Sequence, residues 1–283
     1  MQKINIIVFS KDRAAQLDLL LRSFSKYVDG AKDFFIIVIY KASDKNFDAG
    51  YQKIYNARYS PFIHLIEEET DFKIHVVHAI DKYNPHTVFF VDDDVFVRPF
   101  KFNYGLSIPI ECNNKYLCES LRLSPHLDYC YPTDKKMIKP EFDIEFDPVL
   151  QELGLHNFKW IGASQDFGYP MSLDGHIFRT SDILPLIKKL KYDTPNILEG
   201  ELARNLIHSR PLMICHEKSI IINNPVNKVQ TINNNRHGNI SIHELNNEFL
   251  NGKIIDLDLF DDYDNFACHE IMPINFVYAR NSD

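Results

Sequence analysis

The stretch that decides the fold is VFFVDDD, residues 88–94, where an apolar run leads directly into three aspartates. A short run of β-branched and aromatic residues is typical of a buried strand. The chain is apolar again at residues 95–97 (VFV), and acids enclosed between apolar segments are costly unless their charge is used. We therefore expect Asp92, Asp93 and Asp94 to form a functional site at the end of a central strand.

The spacing of these aspartates suggests how they divide their roles. Side chains alternate faces along an extended segment, so Asp92 and Asp94 are expected to point one way and Asp93, in a structural role, the other. Two carboxylates at the mouth of a sheet suit a hard divalent cation that also binds phosphate oxygens. A solvated acidic turn or a helix N-cap is the alternative interpretation of the run alone.

Before this stretch, apolar runs alternate with segments of helical periodicity. The apolar runs are residues 4–9, 34–40 and 62–66, and the helical segments are 17–24, 47–59 and 72–83. Followed by a strand at 87–91, this order predicts parallel strands with right-handed crossovers in a doubly wound α/β sheet. Ligands of such sheets bind beyond the carboxyl ends of the strands, where the aspartates lie.

The second half of the chain is less regular. Residues 100–160 show no clear periodicity, residues 175–179 (GHIFR) predict a strand, and residues 181–190 predict a helix. A further helix is predicted to carry Leu202 and Leu206. We find no internal repeat and no linker, so residues 1–283 are expected to form one domain.

Composition narrows the class of protein. The chain has 283 residues, 21 Phe, 14 Tyr and a net charge of −8, which excludes a disordered chain and argues against nucleic acid as a partner. Five scattered Cys without a Cys-x-x-Cys pair indicate neither a disulfide framework nor a zinc knuckle. We see no signal peptide and no apolar stretch of about 20 residues, so we expect a cytoplasmic protein without a transmembrane segment.

A resemblance to a known family follows from these motifs. Residues 7–13 (IVFSKDR), the leucine-rich helix after them and the FFVDDD segment resemble the nucleotide-binding half of GT-A glycosyltransferases. The resemblance implies a GT-A-like (Rossmann-like), mostly parallel twisted sheet flanked by helices. It also implies a nucleotide-binding half at residues 1–100, and an acceptor-side half with a C-terminal segment at 101–283.

In that fold the aspartate run is the DXD motif. The resemblance implies that Asp94 binds Mn²⁺ or Mg²⁺ directly, while Asp92 contacts the ribose or a metal-bound water. His237 is the candidate for a third metal ligand, and Lys228 or Arg236 for contact with the diphosphate. A surface or capping role is the alternative for His237.

The loops after the first two strands are implicated in nucleotide binding by the same resemblance. Phe9, Ser10 or Arg13 would contact the base. A carboxylate from the loop after the second strand would contact a uracil, and Asp44 is the nearest candidate.

The acceptor side is identified by a looser match. Inverting members of the family carry an acidic motif that opens a helix, and the register places Glu199 at the position of the catalytic base, with Glu201 as the fallback. A carboxylate can accept a proton from a sugar hydroxyl, although Glu199 could also simply favour a helix N-terminus. Asp174 is a candidate for hydrogen bonds to the donor sugar, or alternatively a turn residue before Gly175.

The sequence thus predicts a metal-dependent glycosyltransferase that moves a sugar from a nucleoside-diphosphate sugar, such as a UDP-sugar, to an acceptor hydroxyl on a glycan, a lipid-linked molecule or a protein. Glu199 as the base would give inversion at the anomeric carbon. A retaining enzyme of the same fold and a non-catalytic glycan- or nucleotide-binding relative are the alternatives. A nucleotidyltransferase is disfavoured because residues 10–13 (SKDR) are not the glycine-rich loop it would need.

Overall fold

The computed structural model describes residues 4–56, 62–69, 71–102, 109–111, 113–229 and 236–279. Its strands, numbered β1 to β14 in chain order, are Ile4–Lys11, Ile36–Lys41, Ile63–Glu67, His86–Val91, Asp94–Phe96, Tyr116–Ser120, Tyr129–Cys130, Lys135–Lys136, Leu155–Lys159, His176–Arg179, Leu212–His216, Ile221–Asn223, Lys253–Ile255 and Phe276–Tyr278. Its α-helices, numbered α1 to α7, are Ala14–Tyr27, Lys45–Tyr55, Phe72–Ala79, Pro148–Leu153, Thr180–Lys189, Pro195–Arg204 and Ile242–Leu250.

The described residues build an eight-stranded central sheet with the order β3-β2-β1-β4-β10-β6-β11-β9. The strands β3, β2, β1 and β4 are mutually parallel, and β11 is parallel to β6. β10 runs antiparallel to both of its neighbours, and β9 is antiparallel to β11 at the edge. The predicted α/β fold with a mostly parallel sheet is therefore confirmed.

Both faces of the sheet are covered, and β1 shows how. Ile6 and Val8 pack into one hydrophobic core, whereas their neighbours Ile7 and Phe9 pack into the other. All of these side chains are at most 3% exposed. A strand buried on both faces reads as a continuous apolar run, which explains why β1 and β4 were visible in the sequence.

Several elements differ from the prediction. The helix expected at 47–59 is α2, which begins earlier because the Asp44 carboxylate caps it by accepting hydrogen bonds from the backbone N–H groups of Asn46 and Phe47, at 2.8 and 3.0 Å. The helix expected at 72–83 ends at Ala79, and the helix expected to carry Leu206 ends at Arg204. The region 100–160, where the sequence shows no clear periodicity, contributes the fully buried strand β6 and the edge strand β9 to the central sheet.

The chain leaves the central sheet at the aspartate run. Asp92 and Asp93 form a turn after β4, and β5 starts at Asp94 to pair antiparallel with β12, where Asp94 lies opposite Asn223. The expected alternation of side chains along an extended run is therefore wrong, because the backbone turns at its first two aspartates. This turn brings residues from the far C-terminal half against the aspartates.

Gly175 is a second point of close approach between the two halves. Its N–H donates to the Phe89 carbonyl at 2.8 Å, and its own carbonyl accepts from the Leu121 N–H at 2.9 Å. Its φ is +67°, and a Cβ there would lie 2.2 Å from Cδ1 of Ile221. Only glycine adopts this left-handed backbone conformation readily and has no Cβ to clash with Ile221. The close packing at Gly175 fixes the position of the preceding residue, Asp174.

Across the described residues, no helix combines the length and the apolar character required to cross a membrane.

We predict that Gly175→Ala lowers the free energy of unfolding more than Gly154→Ala does. Gly154 has a similar φ of +65°, but a methyl group added there would meet nothing within 4 Å, so it reports the cost of the left-handed backbone alone. That backbone costs about 1–2 kcal/mol, and the clash with Ile221 should add roughly 1–3 kcal/mol. Urea unfolding of both variants measures the difference, and equal losses would contradict the close packing at Gly175.

Candidate active site

A cavity of about 340 Å³ opens at the carboxyl ends of the parallel strands. Residues from the ends of β1 and β2, from the loop after β3 and from the turn after β4 line it. This is the edge at which doubly wound sheets bind ligands. The sequence-predicted residues that line it are Phe9, Ser10, Arg13, Asp92, Asp174, Glu199, Lys228, Arg236 and His237.

Asp92 ties the aspartate run to the loop after β1. Its Oδ2 accepts hydrogen bonds from the Ser10 hydroxyl at 2.9 Å and the Lys11 N–H at 3.0 Å. Its Oδ1 accepts from Nη1 of Arg13 at 3.0 Å. Burial outweighs these contacts and raises the pKa of Asp92 to about 6.

Asp93 faces the cavity, so the expectation that it points away is wrong. The turn at the end of β4 places its Oδ2 3.0 Å from the same Arg13 Nη1 that contacts Asp92. Burial disfavours the charge on Arg13, but the attraction of Asp93 and Asp92 prevails and raises the guanidinium pKa above its ordinary value. Nε of Arg13 also donates to the Asn227 side-chain oxygen at 2.8 Å.

Asp94 is completely buried and does not line the cavity. Its Oδ2 accepts a hydrogen bond from the Val91 N–H at 3.0 Å, and its Oδ1 accepts one from the Asn223 amide at 3.3 Å. Within the described ranges, no cationic side chain forms an ion pair with it. Burial and the nearby charge of Asp174 raise the pKa of Asp94 well above its ordinary value.

Asp174 contributes a further carboxylate to the cavity lining, outside the aspartate run. It pairs with Nη1 of Arg122 at 3.1 Å and lies 3.7 Å from Nε2 of His269. Burial opposes its charge, but His269 and Arg122 outweigh that effect and hold its pKa below the ordinary range. Asp174 is thus a charged cavity residue as well as the residue that precedes the Gly175 turn.

Glu199 lies in α6, which begins after the Thr194 cap. Its Oε1 accepts hydrogen bonds from the Ser172 hydroxyl at 2.9 Å and the Leu173 N–H at 3.1 Å. Burial and the proximity of Asp174 raise the pKa of Glu199. A carboxylate held in this way, on a cavity wall and with an elevated pKa, is suited to accept a proton.

The fallback residue Glu201 has a different environment. It pairs with Arg204 at 2.7 Å on the same helix and is not part of the cavity lining.

The segment after β12 forms the basic wall of the cavity. Lys228, Arg236 and His237 all line it. Nη1 of Arg236 contacts the Asp134 carboxylate at 2.7 Å, and its guanidinium lies over the Tyr131 ring at 4.6 Å. His237 is exposed, and its Nδ1 lies 2.6 Å from the Gly238 carbonyl.

Asp44 is another predicted residue, after Asp94 and Glu201, that does not line the cavity. Its carboxylate is engaged as the N-cap of α2, which keeps it out of the lining. The acid at this end of the cavity is instead Glu68, which follows β3 and pairs with Lys41 at 2.9 Å. The sequence signal for it was the acidic run at residues 67–69, directly after a predicted strand.

Asn223 and His269 are cavity residues that were not among the predicted site residues. The Asn223 amide donates to Asp93 Oδ1 at 3.0 Å and also to Asp94. Asn223 pairs with His269 through an isolated bridge, and the buried Nδ1 of His269 has no hydrogen-bond partner within the described residues. The pairing of β12 with β5, and of Asn223 with His269, brings them to the aspartates.

The cavity contains the types of ligand atom that a divalent metal prefers, but the side chains that carry them do not form a ready-made metal site. Carboxylate oxygens of the aspartate run and imidazole nitrogens of two histidines border one cavity. No cluster of three His, Cys, Asp or Glu side chains in the described residues is arranged to hold a metal ion.

The fold and the cavity define an α/β protein with acidic and basic walls at the carboxyl edge of its mostly parallel sheet. The chain is 27% identical over 243 residues to the bifunctional glycosyltransferase pgtA of Dictyostelium discoideum, a match that covers 75% of this chain. The chain spans 30% of the length of that relative. The expected resemblance to glycosyltransferases is confirmed. No family model matches the chain.

Three solved structures are also similar to the chain. They are S. aureus TarS (TM-score 0.46, 13% identity, 78% of this chain and 36% of that one), the WbbM bifunctional glycosyltransferase (0.34, 14%, 66% and 34%) and 4-diphosphocytidyl-2C-methyl-D-erythritol synthase from Anaerococcus prevotii (0.34, 13%, 70% and 82%).

Proposed function

We propose that the chain transfers a sugar from a nucleoside-diphosphate sugar, bound in the cavity, to a hydroxyl group of an acceptor. The observation that carries this proposal is that one cavity joins the aspartate turn, the acidic pair Asp174 and Glu199, and the basic residue Lys228. Such a cavity offers separate places for a diphosphate, a sugar and a proton acceptor. The similarity to a glycosyltransferase supports the same reaction class.

The charge balance supports a divalent cation, Mn²⁺ or Mg²⁺, as the cofactor. Asp94 is a buried carboxylate without a cationic partner in the described part of the chain, so its charged form is unfavourable unless a cation compensates it. We propose Asp94 and Asp92 as ligands and His237 as the third. Asp92 and His237 line the cavity, whereas the buried Asp94 carboxylate has to turn towards it when the cation binds. The unpartnered Nδ1 of His269, another lining residue, is a further imidazole donor. When bound, the cation would offset the diphosphate charge and act as a Lewis acid on the leaving group.

The end of the cavity near β2 and β3 has the character of a nucleobase site. Phe9, Ile39 and Phe72 give it an apolar floor, and the Lys41–Glu68 pair provides a donor and an acceptor at its edge. A planar base needs both an apolar contact and a few directed hydrogen bonds. We propose that Glu68 takes the role expected of Asp44, with UDP as the donor nucleotide.

The basic wall supports binding of the diphosphate between the base and the sugar. Arg13, Lys228 and Arg236 all border the cavity, and guanidinium groups bind phosphate oxygens in a bidentate manner. These cations, with the proposed metal, would counter the carboxylates that otherwise repel a diphosphate.

Glu199 is proposed as the general base. It would take the proton of the acceptor hydroxyl as that oxygen attacks the anomeric carbon, which gives inversion. Its raised pKa brings it closer to the operating pH, and Asp174 on the neighbouring wall would accept hydrogen bonds from donor-sugar hydroxyls. The acceptor hydroxyl would come from a glycan, a lipid-linked molecule or a protein.

Donor hydrolysis tests the proposal without knowledge of the acceptor. We expect slow release of UDP from a UDP-sugar only when MnCl₂ or MgCl₂ is present, because water can replace the acceptor. Asp94→Ala should abolish the release, whereas Asp44→Ala, which removes a carboxylate outside the cavity, should retain it. Turnover without metal, or an Asp94→Ala variant with unchanged turnover, would contradict the mechanism, and no turnover of any sugar nucleotide would favour a non-catalytic relative.

The role of Glu199 predicts a particular pH dependence. A base works only when deprotonated, so the rate should fall as the pH drops through a pKa that lies above the ordinary Glu value of 4.5. Glu199→Gln should lower the rate about 10²–10⁴-fold and remove this acidic limb. The matched variant Glu201→Gln should keep the normal rate and the acidic limb of the pH profile. A Glu199→Gln enzyme with normal rate and normal acidic limb would exclude Glu199 as the base.

A further inference from the structure

Arg13 occupies an unusual position for a cation next to a proposed metal site. Its side chain is 9% exposed, and its Nη1 lies 3.0 Å from both Asp92 and Asp93. Its Nε and Nη2 donate instead to the side-chain and backbone oxygens of Asn227. The guanidinium therefore has two separate anchors, one anionic and one neutral.

The anionic anchor is crowded with negative charge. The Asn223 amide donates to both Asp93 and Asp94, at 3.0 and 3.3 Å. Arg13 contacts both Asp92 and Asp93, so the three carboxylates of the run lie close together. In the described part of the chain, Arg13 is the cation paired with Asp92 and Asp93, and the Asp94 carboxylate has none. One guanidinium thus partly neutralises a group of carboxylates that could accept more positive charge.

The neutral anchor leads to the basic wall of the cavity. Asn227 is followed directly by Lys228, which lines the cavity together with Arg13. If Nη1 left the carboxylates, Asn227 could still hold the other side of the guanidinium. The freed N–H groups would then be available to a diphosphate, for which a guanidinium is well suited.

We propose that Arg13 is the resident counter-ion of Asp92 and Asp93 in the free protein and that it exchanges these carboxylates for the donor diphosphate when a divalent cation binds. The inference rests on the metal-dependent donor binding proposed above. Asp92 pairs with Arg13 and is also a proposed metal ligand, so the guanidinium and the metal compete for its carboxylate. Two like charges repel strongly at a few ångströms in a buried site, so both cannot occupy this position together. Metal and diphosphate then bind cooperatively, because each favours the displaced position of Arg13.

Calorimetric titration of the full chain with MnCl₂ tests whether Arg13 competes with the metal. Arg13→Gln removes the competing charge, so it should bind Mn²⁺ about tenfold more tightly than the unmodified chain, equivalent to about 1.4 kcal/mol. In saturating MnCl₂, the same variant should bind inorganic pyrophosphate about tenfold more weakly, because a charge-assisted hydrogen bond is lost. Pyrophosphate is the probe because it carries the diphosphate without a base.

Arg22→Gln is the matched control. Arg22 is also buried and ion-paired, with Asp18 at 2.7 Å, but it does not line the cavity. Both affinities should be unchanged in this variant, and thermal melts of all variants check folding.

An NMR measurement distinguishes displacement of Arg13 from simple charge repulsion between Arg13 and the metal. It does not depend on whether Arg13→Gln folds. In ¹⁵N-arginine-labelled protein, the guanidinium signals of Arg13, assigned by their loss in Arg13→Lys, should shift when MgCl₂ is added. Unchanged Arg13 signals at saturating MgCl₂ would overturn the inference, as would an Arg13→Gln variant that binds Mn²⁺ no more tightly than the unmodified chain. If no variant binds Mn²⁺ with or without pyrophosphate, the metal dependence in the proposed function fails as well.

Discussion

The carboxylate of Asp92 holds together parts of the molecule that are distant in sequence. It accepts hydrogen bonds from the Ser10 hydroxyl and the Lys11 N–H, and it pairs with Arg13, which also contacts Asn227. A buried charge must be satisfied by such partners, and here they are the loop after β1 and the segment after β12. Because Asp92 needs these partners, the segments that line the cavity pack around the aspartate turn.

The first half of the fold and one edge of the site could be predicted from the sequence. The strands β1 and β4 are buried on both faces, so each reads as an apolar run, and the acids after β4 had to lie at the carboxyl edge of the sheet. The second half could not be predicted in this way. β6 is central but short, its neighbours in the sheet are distant in sequence, and the antiparallel β10 lies between β6 and β4.

The errors within the site have a common physical cause. Alternation along a strand assigned Asp93 to the wrong side because the chain turns to form β5, and proximity to β2 suggested Asp44 although that carboxylate is required as a helix cap. Asn223 and His269 were not among the predicted site residues, because tertiary pairing brings them to the aspartates. Residue type and local order predicted the chemistry of the site, whereas the partners of each charge depend on the complete fold.

The most direct measurement of the central claim is a crystal structure with MnCl₂ and UDP, in which anomalous scattering locates the manganese. The account predicts a manganese peak in contact with the Asp92–Asp93–Asp94 run, with the diphosphate beside it and the base at the end of the cavity bordered by Glu68 and Lys41. A nucleotide bound elsewhere, or one bound in the cavity with no manganese at the aspartates, would contradict it.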